Sequence, residues 1–121
     1  MLTLIHRQSC SKSQCLYQYL TDQQIPFVIR DYMIEPLSRA ELNILLEQLE
    51  LPASAIIRKE DPAFESFHTG IDLTNQQQVI DLLSQYPALL QRPILTDGRC
   101  AVIGRPFEHA VDFLLKKGYD R

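Results

Sequence analysis

Residues His6 to Cys15 read HRQSCSKSQC, and an apolar run, LTLI, stands directly before them. The run from Leu2 to Ile5 reads as a short buried strand. Beyond the polar corner, Leu16, Tyr19 and Leu20 form an apolar stripe at spacings of three and four, which predicts a helix from about Ser11 to Gln23. Pro26 then opens FVIRDY, rich in β-branched and aromatic residues and therefore a second strand. Strand, helix and strand within some thirty residues make a βαβ unit, with parallel strands and a right-handed crossover. Cys10 stands where the first strand hands over to the helix. It is a buried thiol, half of a disulfide, or a nucleophile.

The middle of the chain, about residues 36–88, reads as a helical insertion. PLSRAELNILLEQLEL carries a capping box, Ser38 with Glu41, ahead of Leu42, Leu45, Leu46 and Leu49. Thr74 and Gln77 repeat the pattern before Val79, Ile80, Leu82 and Leu83, and Pro87 ends that helix. Between them, IIRKEDPAFESFHTGID suggests one or two short helical turns. In the last third, PILT and CAVI read as strands joined at Asp97-Gly98, a tight-turn signal. Pro106 suits a first helical position, Phe107 to Lys117 a final helix with Lys116 and Lys117 at its C-terminus, and Gly118 its stop. A βαβ half, a helical insertion and a ββα half together predict one α/β domain over residues 1–121, thioredoxin-like, with a four-stranded mixed sheet. In that architecture the end of the first strand and the start of the first helix form the reactive corner.

Composition narrows the function. The chain has 121 residues, a formal net charge of −3, 45% hydrophobic and 22% charged residues. No basic field draws it to nucleic acid or anionic membrane, and direct nucleic-acid binding is not expected. Apolar runs are too short to span a membrane, and MLTLIHR lacks the features of a secretory signal. Three cysteines do not make a disulfide scaffold, so a reducing cytoplasm is the expected setting and thiol chemistry the expected use.

At a helix N-terminus, unpaired N–H groups and the positive dipole end favour the thiolate, the reactive form of cysteine. Ser11 and Ser13 add hydroxyl donors and Lys12 adds charge. The polar neighbours Arg7, Gln8 and Ser9 argue against an apolar setting, so Cys10 reads as a reactive thiol. Cys15 lies five residues on. Within one helix the two would stand roughly 7.5 Å apart along the axis and point to different sides, a poor disulfide geometry. Cys15 and Cys100 therefore read as packing residues. A cysteine phosphatase loop would need arginine at position 16, which is Leu16, and neither the cysteines nor His6, His68 and His109 show zinc-ligand spacing.

Four pieces in order, His6-x-x-x-Cys10 followed by Ser-Lys-Ser, IIRKED around Arg58, QRPIL around Arg92 and VIGRPFE around Arg105, make the whole chain resemble a known family. It resembles the thioredoxin-fold arsenate reductases coupled to glutathione and glutaredoxin, whose relatives include the Spx regulators. The resemblance implies Cys10 as nucleophile, supported by His6, and Arg58, Arg92 and Arg105 as oxyanion ligands. It implies a cis peptide bond before Pro93, facing the thiol. It further implies an arsenate-like substrate, glutathione as co-substrate, glutaredoxin as partner and no bound cofactor. No exposed apolar seam is read in the chain, so a monomer is the default expectation. Guanidinium groups suit these roles, because their fork of donors matches two oxygens of a tetrahedral anion. Gln14 stands where family enzymes often carry arginine, and Arg7-Gln8 replaces a frequent Asn-Pro, which predicts weaker thiolate stabilisation. Two alternatives remain: a regulator of the Spx type, which docks on RNA polymerase, and a glutathione-dependent thiol protein with another substrate. The usual Cys-x-x-Cys of such regulators is missing, since position 13 is Ser13.

Overall fold

A computed structural model describes residues 2–62, 64 and 70–118. The chain forms two compact units, Met1–Glu35 with Arg92–Arg121, and Pro36–Gln91.

The first unit is built on β1 (Leu2–His6), α1 (Ser11–Asp22), β2 (Phe27–Asp31), β3 (Ile94–Thr96) and β4 (Ala101–Ile103). Its sheet order is β2-β1-β3-β4, with β1 parallel to β2 and antiparallel to β3, and β4 antiparallel to β3. This is the mixed four-stranded sheet of the sequence reading. Side chains alternate along β1, so Leu2 and Leu4 share one face. There they join Leu16 and Leu20 of α1, Leu95 of β3, and Ala110 and Leu114 of the C-terminal helix in one buried core. Tyr19 and Phe107 close its rim edge to face, with ring centroids 5.3 Å apart.

Asp97 shapes the hairpin between β3 and β4. Its Oδ1 accepts the N–H groups of Arg99 and Cys100 at 2.9 and 2.8 Å, and Gly98 takes the positive φ that the turn requires. The connection therefore runs through Cys100, and each strand starts one residue later than PILT and CAVI suggest.

In the second unit, α2 (Arg39–Leu49) starts from the expected capping box. Ser38 Oγ accepts the Glu41 N–H at 3.1 Å, while Glu41 Oε1 accepts the Ser38 N–H at 3.0 Å. Helix α3 (Gln76–Gln85) is capped one residue later than Thr74. Asn75 accepts the Gln78 N–H, while Thr74 turns back and donates both its N–H and its hydroxyl to Asp72 Oδ1. Both helices bury their leucine-rich faces, and Arg39 pairs with Asp81 across them at 2.8 Å. Short 3-10 turns at Ala53–Ile56 and Pro87–Leu89 flank an antiparallel bridge between Ile57 and Leu90. The short helical turns expected around residues 57–73 fall partly outside the described residues, as does His68. The last helix, α4 (Phe107–Lys116), has Pro106 at its N-cap with an extended ψ of 163°, not at its first turn, and Gly118 follows at φ 75°. Among the described residues no helix is long and apolar enough to cross a membrane.

Leu20 is fully buried in the first unit. Leu20→Ala is expected to destabilise the protein by about 2–5 kcal/mol, read from denaturant unfolding. A cost below about 1 kcal/mol would mean that α1 is not held to the sheet as described.

Candidate functional site

Cys10 is the N-cap of α1, with extended backbone geometry (φ −92°, ψ 121°). Its N–H donates to the Arg7 carbonyl at 3.0 Å, and its carbonyl accepts the Gln14 N–H at 3.0 Å. The chain thus turns sharply off β1 and into the helix, and the thiol comes to rest where the first helical N–H groups lack intrahelical partners. The residue is buried, 9% exposed, although Gln8, Ser9 and Ser11 beside it are exposed. The groups that enclose the thiol are largely polar.

Burial pushes the Cys10 thiol up. It is outweighed by the Ser13 N–H, the Arg92 guanidinium, the Lys12 N–H and the Ser13 hydroxyl, which bring the pKa down from 9.0 to about 6. Ser13 is fully buried, and its hydroxyl oxygen also accepts the Arg7 N–H at 3.4 Å. Ser11, by contrast, is exposed and is not among the groups acting most on the thiol. Lys12 contributes through its backbone. Gln14, in place of a cation, donates from Nε2 to the Gln8 carbonyl at 2.7 Å and so ties the corner loop together.

Strand register brings the arginines to this corner. Ile94 pairs with Ile103, and the next step is marked by the Gly104 N–H donating to the Pro93 carbonyl at 2.8 Å. One step further, Arg92 stands opposite Arg105. Arg105 Nε donates to the Arg92 carbonyl at 2.6 Å, and its Nη2 reaches Cys10 Sγ at 3.6 Å. Arg92 is 6% exposed. Gly104 eases this approach, because a Cβ there would stand 3.1 Å from Pro93 Cγ and 3.3 Å from Leu16 Cδ2 and press on both. The Arg92–Pro93 peptide bond is cis, and so is Arg105–Pro106.

His6, at the end of β1, shares the helix-covered face with Leu2 and Leu4. It is 4% exposed, and its ring lies 5.9 Å from that of Tyr17. Burial lowers its pKa against the pull of Asp31, and it is not among the groups acting most on the thiol. Arg58 belongs to the second unit, where its guanidinium faces Asp61 at 3.3 Å and Glu60 at 3.5 Å. The first unit thus brings together Cys10, Ser13, Arg92 and Arg105. All three cysteines are free. Cys15 is exposed and lines an open groove of about 440 Å³ with Lys12, Tyr19 and Phe107, so it does not pack into the core as its spacing suggested. Cys100 is half-buried beside Lys117, whose Nζ lies 3.3 Å from its sulfur. Among the described residues no group of His, Cys, Asp and Glu is placed to hold a metal ion.

The ArsC family model matches residues 5–113, spanning the corner and both arginines. The chain belongs to the ArsC family. It is 31% identical over 104 residues to the global transcriptional regulator Spx of Streptococcus pneumoniae, covering 86% of this chain and 78% of that protein. Against the Bacillus subtilis Spx it is 29% identical over 117 residues, covering 97% and 89%. Among solved structures, the arsenate reductase from Vibrio cholerae superposes with a TM-score of 0.84 at 26% identity, over 92% of this chain and 95% of that one. An ArsC chain thus carries a thiol of lowered pKa at a helix N-terminus, with Arg92 and Arg105 beside it.

In a Cys15→Ser, Cys100→Ser background, alkylation of Cys10 should rise with pH about a midpoint of about 6. Arg92→Ala should move that midpoint upward by about one pH unit or more. Between pH 6 and 9 the unfolded chain binds the thiol proton and the native state does not, so native stability rises with pH through that window. Cys10→Ala should remove this rise. A midpoint near 9 in the parent protein would contradict the activated thiolate.

Proposed function

We propose that this chain is a thiol oxidoreductase that reduces a tetrahedral oxyanion, arsenate being the reference substrate, through a covalent adduct on Cys10. The observation that carries the reading is the Cys10 thiolate at the N-cap of α1 with Arg105 Nη2 3.6 Å from its sulfur. A thiolate so placed attacks As(V), a sulfur–arsenic bond forms, and an arsenate oxygen leaves as water after protonation. Glutathione thiolate then attacks the Cys10 sulfur. The sulfur–arsenic bond breaks, its electron pair stays on arsenic, and As(III) departs as arsenite. The two electrons come from the two sulfurs, which end as a Cys10–glutathione mixed disulfide. Glutaredoxin takes the glutathionyl group and returns Cys10 as a thiol. Arg92 and Arg105 would neutralise the oxygens during attack, in a setting where fixed donors are worth more than in water. His6, buried against Tyr17, would brace the corner. The reading needs no resident cofactor, and it suits a monomer in the reducing cytoplasm.

A regulatory role is the second reading, favoured by the similarity to the Spx regulators. Ser13 limits it. A regulator switched by a disulfide between positions 10 and 13 needs a second thiol, and here a buried hydroxyl serves the first thiol instead.

With arsenate, glutathione and glutaredoxin, the purified protein should release arsenite and arsenate should protect Cys10 from alkylation. Cys10→Ser should abolish turnover, and Arg105→Ala should lower it by about a hundredfold. Neither turnover nor protection, in protein whose Cys10 is ionised at neutral pH, would contradict the reductase and favour the regulator.

A further inference from the structure

Tyr32 is an aromatic residue at the end of FVIRDY, where it reads as a strand former. Its place follows from the pairing of β1. His6 pairs with Asp31 on β2, and Ile5 pairs with Ile94 on β3. One step past the first pair, Tyr32 stands beside Arg7. Two steps past the second, Arg7 stands beside Arg92, which already lies opposite Arg105. Tyr32, Arg7, Arg92 and Arg105 therefore form one row across the end of the sheet, at the corner where Cys10 caps α1.

Tyr32 is fully buried; its hydroxyl meets no partner at full hydrogen-bond geometry among the described residues, and the Arg92 guanidinium is the donor that acts on its oxygen. Such a group is costly unless it serves something. The charged groups that act on it are the Arg92 guanidinium, Arg7 and the Cys10 thiolate. A phenol has one proton to donate and lone pairs to accept with. Arginines donate only, so they satisfy the oxygen and leave the proton. Of these three groups, only the Cys10 sulfur can accept it.

We propose that the Tyr32 hydroxyl is a ligand of the anion site, a neutral donor whose proton meets an oxygen of the oxyanion bound at Cys10. Burial raises the Tyr32 pKa against the opposing pull of the arginines, so the phenol stays protonated and able to donate. Two arginines with a thiolate between them meet the charge of an oxyanion. A phenol adds a donor that favours a protonation state and a shape without adding charge. The inference deepens the proposed function and rests on its anion site, though not on arsenate being reduced.

Tyr32→Phe is the test, because it keeps the buried ring and removes only the oxygen. It is made in the Cys15→Ser, Cys100→Ser background, with alkylation of Cys10 read against pH and against arsenate. The arsenate concentration that half-protects Cys10 should rise about tenfold or more, as expected for losing a hydrogen bond to a charged group. The thermal midpoint should hold or rise, since an ill-matched buried hydroxyl has gone. Unchanged protection would overturn the assignment, and so would weakened protection that only tracks a fall in thermal stability. If arsenate fails to protect even the parent, the reductase reading falls and the pH profile decides Tyr32. A roughly threefold or larger drop in the Cys10 acid dissociation constant in Tyr32→Phe supports a donor at the thiolate, and an unmoved constant overturns it.

Discussion

The hydrogen bond from Arg105 Nε to the Arg92 carbonyl, 2.6 Å long, continues the β3–β4 ladder past the point where the strands end. Without it, two guanidinium groups at the open end of a short hairpin would repel and drift into solvent. With it, one donor of Arg105 is fixed on backbone and another is left for Cys10 Sγ at 3.6 Å. Gly104 permits the approach by leaving out a Cβ that would crowd Pro93 and Leu16. The sheet thus ends in a cationic row, and the chemistry of the corner depends on it.

The thiolate is a contest between burial and donors. Taking a thiol out of water favours its neutral form. Here the peptide N–H groups of Lys12 and Ser13, the Ser13 hydroxyl and Arg92 overcome that penalty. Most of those donors belong to the first turn of α1, where backbone N–H groups have no helical partner in any case. The activated state therefore costs little conformational rearrangement. It also explains how the corner tolerates Gln14: the side chain braces the loop through the Gln8 carbonyl, and the cations come from the neighbouring β3–β4 pair at the same end of the sheet.

Much of this was legible in the chain. The apolar run before Cys10 and the Leu16, Leu20 stripe after it dictate a strand–helix corner, and Asp97-Gly98 dictates the hairpin that carries the arginines. The capping box at Ser38 and Glu41 reads directly as a helix start. At Thr74 the same pattern misled by one residue, because Asp72 ties Thr74 into a turn ahead of the helix and Asn75 caps. Local pattern cannot weigh such competition. Nor could it separate Ser11 from Ser13, since only the helix phase turns one to solvent and the other to the thiol. Cys15 looked like packing and is exposed, for the same reason of phase. The row that holds Tyr32 was not readable at all, because it arises from registers between strands far apart in sequence.

The central claim is that Cys10 rests as a thiolate at neutral pH. Its most direct measurement is the ultraviolet absorbance of the thiolate titrated against pH, taken as the difference between the protein and Cys10→Ser. The account predicts a single step centred at about 6. A step near 9, or no step before the protein unfolds, would contradict it.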